Sequence, residues 1–301
     1  MVNPINRRAF VASGAACSLA AFAASGFGHE DSSQKKHEIC VFTKPFNSLS
    51  YAELADQTAR LGFDGIEAPI RDGGHIEPAA VPDELPKMME ALEKQNLKMT
   101  VMTSSINDPA DPLTEKVLRT AAGLGIRHYR MKYFKYDESR PIPPQITEWQ
   151  KRLKDLAAMN MELGITAVYQ NHAGRNYFGA SLWDLHRGLE GIDPKHVGVA
   201  YDIRHATAEG GMSWPVTFQL IRPHIQIVYV KDFVWHEKKP GNVPLGQGRI
   251  DPAFFSMLAK SGYTGPISLH EEYLDHRKAS LVPAHWQAIR EDMQTLQGWL
   301  S

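Results

Sequence analysis

Four stretches of the chain repeat one pattern. In "RLGFDGIEAP" (60–69), "GLGIRHYRM" (123–131), "ELGITAVYQ" (162–170) and "KSGYTGPISL" (260–269), a helix-compatible run ends at a glycine and an apolar run follows within a few residues. Glycine just past a helix is the usual left-handed cap. Helix-compatible runs at 50–61, 114–122, 144–163 and 251–261 precede these stretches. Further apolar runs at 39–43, 99–103, 197–201 and 225–230 bring the expected strands to about eight. Alternating helix and strand signals imply parallel strands joined by crossovers. Eight such units in about 270 residues fit a (β/α)8 TIM barrel, an α/β fold. A doubly wound sheet is the rival arrangement. It is weakened because "CVFTKPFN", at the first strand, holds no glycine for a phosphate-binding turn.

Residues 1–30 break the pattern. "NRRAFVASGAACSLAAFAASGFG" carries Arg7 and Arg8, then an apolar, alanine-rich run, then small residues. That is the layout of an export signal, and the arginine pair resembles a twin-arginine leader. The run is short and interrupted by Ser13, Gly14 and Ser18, which disfavours a membrane anchor. A lipoprotein anchor at Cys17 is weaker, because Gly14 stands where leucine is usual. The expectation is an exported, periplasmic protein: a twin-arginine-type signal peptide over 1–30, then one barrel domain over 31–301. No linker divides the barrel region. With the leader removed, Cys40 is the one cysteine left, so no disulfide forms within the chain, and Cys40 reads as a small buried hydrophobe.

Composition narrows the function. The formal net charge is −1, with 43% hydrophobic and 22% charged residues. That describes a globular chain and gives no electrostatic footprint for nucleic acid. No nucleotide-cofactor fingerprint is present.

The strand ends carry the candidate chemistry. In "AVYQNHAG" (167–174) an apolar strand closes on Gln170, Asn171 and His172. Burying such groups without partners costs roughly 1–3 kcal/mol, so they must face solvent or a site. In this barrel, active sites lie at the C-terminal ends of the strands. Side chains alternate along a strand. One register places Gln170 with His172, Ala200 with Asp202, Tyr229 with Lys231, and Ser268 with His270 and Glu272. We take this small and polar register as inward. Glu67, Arg130 and Lys132 end earlier strands, and His205 follows Asp202 by three residues. Asp232, next to Lys231, is either a ligand contact or an ordinary strand-end residue.

In this order, "GFDGIEA", "VYQNH", "VGVAYDIRHA", "IVYVKDF", "PLGQGRIDP" and "GYTGPISLHEEY" resemble the sugar phosphate isomerase/epimerase family, the xylose-isomerase-like or endonuclease-four-like barrels. The resemblance covers about residues 39–275. It implies a divalent metal at the barrel mouth, held by Glu, Asp, His and Glu, that polarises a carbonyl while carboxylates move the proton. Asp202 matches that ligand pattern. The strand-five position holds Gln170 (or Arg175, if relatives with a later acid are the guide). The strand-seven position holds Tyr229, and the strand-eight position His270. Two expectations follow. His172, Asp202, His205, His270 and Glu272 rebuild a centre for Mn, Zn or Co, with Asp202 and His270 as its ligands. Otherwise the site works without metal, on Lys231, Tyr229 and the histidines.

The function expected is an exported carbohydrate-active isomerase, epimerase or lyase. Glu67, His172, Glu272 and Lys231 are the catalytic candidates. Gln170, His205, Tyr229, Arg130 and Lys132 are the substrate-binding ones. The substrate expected is a non-phosphorylated keto- or acid-sugar. The alternative is a sugar-binding barrel that has lost the metal. A metal-dependent nuclease is the third and least favoured reading, given the near-neutral charge and the depleted ligand set.

Overall fold

The computed structural model describes residues 37–301. The expected leader lies outside the described residues. Eight parallel strands close into a barrel. They are β1 (Ile39–Phe42), β2 (Gly65–Pro69), β3 (Lys98–Thr103), β4 (His128–Arg130), β5 (Thr166–Gln170), β6 (Val197–Asp202), β7 (Ile225–Val230) and β10 (Ile267–Leu269). Between β7 and β10 the chain makes an antiparallel hairpin, β8 (Asp232–His236) with β9 (Lys239–Val243). Around the barrel, β1 lies between β2 and β10, and the other strands follow in chain order. The TIM-barrel expectation is met.

The described residues form nine α-helices: α1 (Tyr51–Arg60), α2 (Val81–Glu93), α3 (Thr114–Gly123), α4 (Ile142–Leu163), α5 (Trp183–Gly188), α6 (Ile203–Gly210), α7 (Trp214–Ile221), α8 (Ala253–Lys260) and α9 (Val282–Leu300). The four helix-compatible runs of the sequence fall on α1, α3, α4 and α8. Helix α1 (Tyr51–Arg60) opens on a capping box. The Ser50 amide donates to Glu53 Oε2 at 2.9 Å, and the Glu53 amide donates to Ser50 Oγ at 3.3 Å. Two otherwise orphaned donors are satisfied by one reciprocal pair. Helix α4 (Ile142–Leu163) stops at Gly164, whose φ of 65° is left-handed, a conformation glycine adopts without a Cβ penalty. The other expected caps, Gly62, Gly125 and Gly262, also have positive φ.

Two apolar layers result. The larger packs the outer strand faces against the helices. The smaller lies inside the barrel and consists of Val101, Val168, Ala200, Ile227 and Tyr229. Val168 and Gln170 share a strand side, as do Ala200 and Asp202. The inward register expected from sequence is therefore the one the barrel adopts.

The hairpin was not expected. Asp232 explains it. Its buried carboxylate accepts backbone N–H bonds from Phe233, Gly246, Gly248, Arg249 and Ile250, at 2.8–3.1 Å. One side chain thus organises the return of the hairpin and the loop after it. Asp232 is a structural anchor with no capacity left for a ligand. Among the described residues, no helix is long and apolar enough to cross a membrane.

Candidate active site

The polar groups at the C-terminal strand ends form one connected network. On one side is Glu67 of β2, fully buried. It accepts from Thr103 Oγ1 at 2.6 Å, Ser268 Oγ at 2.7 Å and His270 Nε2 at 2.9 Å. Arg130 Nε lies 3.9 Å away. Burial opposes charge on Glu67, but His270, Arg130 and the hydroxyls overcome it and hold the carboxyl at about 2. Burial likewise opposes charge on His270. The Glu67 carboxylate outweighs it, and the imidazole is raised above its ordinary value. His270 packs between Phe42 and Tyr229, with ring centroids 4.6 and 4.4 Å away.

On the other side, Gln170 joins two charges. Its Oε1 accepts from Arg130 and, at 2.5 Å, from the Tyr133 hydroxyl. Its Nε2 donates to Asp202 Oδ2 at 2.7 Å. Lys231 Nζ lies 3.2 Å from the same Asp202 oxygen and 2.7 Å from Glu272 Oε2. Lys44 reaches the other Glu272 oxygen at 3.2 Å. Burial works against the Lys231 charge, but Asp202 and Glu272 keep its pKa above the ordinary lysine value. Glu272 is penalised by burial yet held well below its ordinary range, first by Lys231.

A pair of histidines stands beside this network. His172 Nδ1 donates to the Ala173 carbonyl at 2.9 Å, because a carbonyl can only accept. Its Nε2 therefore carries the lone pair. Burial and the Lys231 charge push its pKa down to about 4, so the ring is neutral at pH 7. Its centroid is 4.0 Å from that of His205. Asp202 caps α6 (Ile203–Gly210) by accepting the His205 amide at 3.1 Å, which sets His205 one turn above the carboxylate.

The network gathers Glu67, Arg130, Gln170, Asp202, Lys231, His270 and Glu272, with His172 and His205 alongside. Tyr229 is inside the barrel, its hydroxyl buried with no hydrogen-bond partner among the described residues. Lys132 is exposed, and its side chain takes no part in the network. The strand β4 ends at Arg130, so Lys132, expected to end that strand, lies in the loop beyond it. Arg175 is exposed and pairs with Glu138 at 2.5 Å. Sequence reasoning missed Tyr133, Lys44 and Arg204. All three lie in loops or helices past strand ends, where a period of two carries no information.

The donor set does not fit a divalent ion. Among the described residues, no three His, Cys, Asp or Glu side chains converge as ligands. Asp202 and His270 have separate partners instead of a shared ion: Gln170 and Lys231 for one, Glu67 for the other. Each carboxylate is already matched by a cation or hydrogen-bond donors of the chain. Gln170 and Tyr229, at two of the four positions, are weak donors for such ions.

A family model, xylose isomerase-like TIM barrel, matches residues 55–298. D-psicose 3-epimerase from Clostridium cellulolyticum H10, solved with D-tagatose, has a TM-score of 0.68 at 12% identity. That match covers 88% of this chain and 99% of the other. The 3-keto-D-glucoside 4-epimerase YcjR from E. coli has a TM-score of 0.65 at 17% identity, covering 86% and 100%. A xylose isomerase domain protein from Planctomyces limnophilus has a TM-score of 0.64 at 14% identity, covering 81% and 91%. At these identities the likeness is one of fold. No match was found among curated protein sequences.

Proposed function

The chain belongs to the xylose isomerase-like TIM-barrel family, and from that premise we propose that it acts on a carbohydrate by moving a proton beside a carbonyl. The outcome is isomerisation, epimerisation or elimination on a non-phosphorylated keto- or acid-sugar. The observation that carries this reading is a neutral base beside fixed cations. His172 presents its Nε2 lone pair, while Lys231 and Arg130 stand in the same mouth.

The residues divide the work as follows. His172 takes the proton from carbon. Lys231 and Arg130 stabilise the oxyanion that develops, in a buried setting where charge acts strongly. Glu272, at the solvent edge of the network, is the second candidate base. Glu67 is a positioning residue, because its donors already engage it and it acts through His270. Gln170, His205 and Tyr229 meet substrate oxygens. No step is routed through a metal, since the donor set does not fit one. Export to the periplasm is part of the proposal, on the strength of the Arg7–Arg8 leader.

A second reading is a sugar-binding protein. The matched carboxylates favour it, since each is already occupied by a cation or donors of the chain. One experiment separates the two. The protein is incubated in D2O with a panel of keto- and acid-sugars, and deuterium at the carbon beside the carbonyl is read by NMR. Exchange that disappears in His172→Gln supports the enzyme. Binding without exchange across the panel rejects the enzyme and leaves the binding protein.

A further inference from the structure

We propose that Arg204 is a positioning residue that fixes His205 as its Nε2–H tautomer and ties that ring to the β8–β9 hairpin. The inference rests on the mouth being the ligand site, but its test does not require turnover.

The argument starts from donor chemistry. Arg204 Nη1 lies 2.9 Å from His205 Nδ1. A guanidinium only donates, so Nδ1 must accept with its lone pair. A neutral imidazole carries one proton, so that proton is on Nε2. The tautomer is set by a neighbour one residue away in sequence. Nε2 itself is buried and has no hydrogen-bond partner among the described residues. The closest anion, Asp202 Oδ2, is 3.5 Å away and already accepts from Gln170 and pairs with Lys231. A buried N–H left without a partner is destabilising, so this donor is held ready for an oxygen that a ligand brings.

Arg204 is itself held by the hairpin. Its Nε donates to Asn242 Oδ1 at 3.1 Å and its Nη2 to the Pro240 carbonyl at 3.2 Å. Its Cζ lies 5.1 Å from the centre of the Phe233 ring. Asn242 Nδ2 also donates to the Glu272 carbonyl at 3.3 Å. The hairpin thus touches the mouth from two directions. A shift of β9 would move the guanidinium, and with it the group that fixes the His205 proton. The charged and titratable groups facing His205 are Asp202 and Arg204 from its own turn, His172 after β5, Lys231 after β7 and Glu272 after β10.

The test is a long-range proton–nitrogen NMR spectrum of the full protein, with the His205 signals assigned by their loss in His205→Gln. The expected result is an unprotonated Nδ1 and a protonated Nε2. Arg204→Leu, which keeps the apolar stem and removes the donors, gives a mixture of tautomers. Arg204→Lys, which keeps a donor, restores the single tautomer. Asn242→Ala splits or broadens the His205 signals by loosening the guanidinium. A proton on Nδ1 in the wild type, or an unchanged spectrum in Arg204→Leu, overturns the tautomer assignment. An unchanged spectrum in Asn242→Ala overturns the tie to the hairpin. The wild-type spectrum decides the tautomer even if Arg204→Leu does not fold. Absence of sugar exchange, by contrast, would reject the enzyme reading and leave this one standing.

Discussion

Glu67 and His270 are 203 residues apart in sequence and share a 2.9 Å hydrogen bond. They meet because β1, between β2 and β10, closes the barrel. Their contact therefore spans the seam between the beginning and the end of the fold. It also fixes a charged pair in the interior, where each partner justifies the charge on the other.

Glu67→Gln should be strongly destabilising, because it removes the nearer counter-charge of the buried His270 imidazole and leaves Glu272 at 3.9 Å. Breaking such a pair costs about 3–5 kcal/mol. The pH dependence follows from the two shifts. His270 is raised, so its contribution is full below the ordinary histidine value of 6.5 and is lost as pH rises through the folded value above it. Glu67 is lowered, so its contribution is full above its ordinary 4.5 and is lost as pH falls toward about 2. Melting temperature against pH should decline on both sides in the wild type. In Glu67→Gln both slopes should flatten. Parallel curves for the two proteins would show that the pair does not carry the linkage.

Lys231 should make the site indifferent to divalent ions, because its ammonium already bridges Asp202 and Glu272 at 3.2 and 2.7 Å. Protein purified without chelator should hold far less than one metal per chain by mass spectrometry. Added manganese, zinc or cobalt should leave the melting temperature unchanged, as should EDTA. Near-stoichiometric metal that disappears in Asp202→Ala would contradict this. Lys231→Met should lower stability, since Asp202 would lose its ammonium partner and Glu272 would keep Lys44 alone.

Most of the barrel was legible in sequence because helix caps and apolar runs are local signals. The four glycine-ended phrases locate β2, β4, β5 and β10, and the inward register follows from Ala200 with Asp202 and from Ser268 with His270. The hairpin was not legible. It is organised by Asp232, which binds backbone amides up to 18 residues away, and nothing local announces that. Arg204 was missed for the same reason: its partners, Asn242 and Pro240, are remote in sequence. Lys132 was expected to end the fourth strand with Arg130, but the strand stops at Arg130 and Lys132 is exposed.

His172→Gln should abolish most solvent exchange while leaving substrate binding within a few-fold. Loss of a general base costs typically about 10²- to 10⁴-fold. The base works only when neutral, and burial with the Lys231 charge has lowered its pKa to about 4. kcat/KM should therefore stay level from pH 8 down to pH 5 and fall as pH drops through about 4. A fall centred near 6.5 would point to a solvated histidine and would reject His172 in this environment.

Asp292, outside the site, should make the protein less stable as pH rises from acid to neutral. It lies buried in α9 (Val282–Leu300) and accepts the Leu245 amide at 2.8 Å. Burial raises its pKa from 3.8 to about 7, the Leu245 amide opposes the rise, and Glu271 adds to it. The sign is the reverse of the usual carboxylate. Between its ordinary value and about 7 the folded state binds the extra proton, so stability falls with rising pH and levels off above 7. Asp292→Asn keeps an oxygen for Leu245 and removes the charge. It should match the wild type near pH 4 and exceed it at pH 8 by on the order of 1–3 kcal/mol in urea unfolding. A variant less stable than the wild type at pH 8 would mean that the ionised carboxylate is well accommodated there, held by the amide more strongly than burial opposes it.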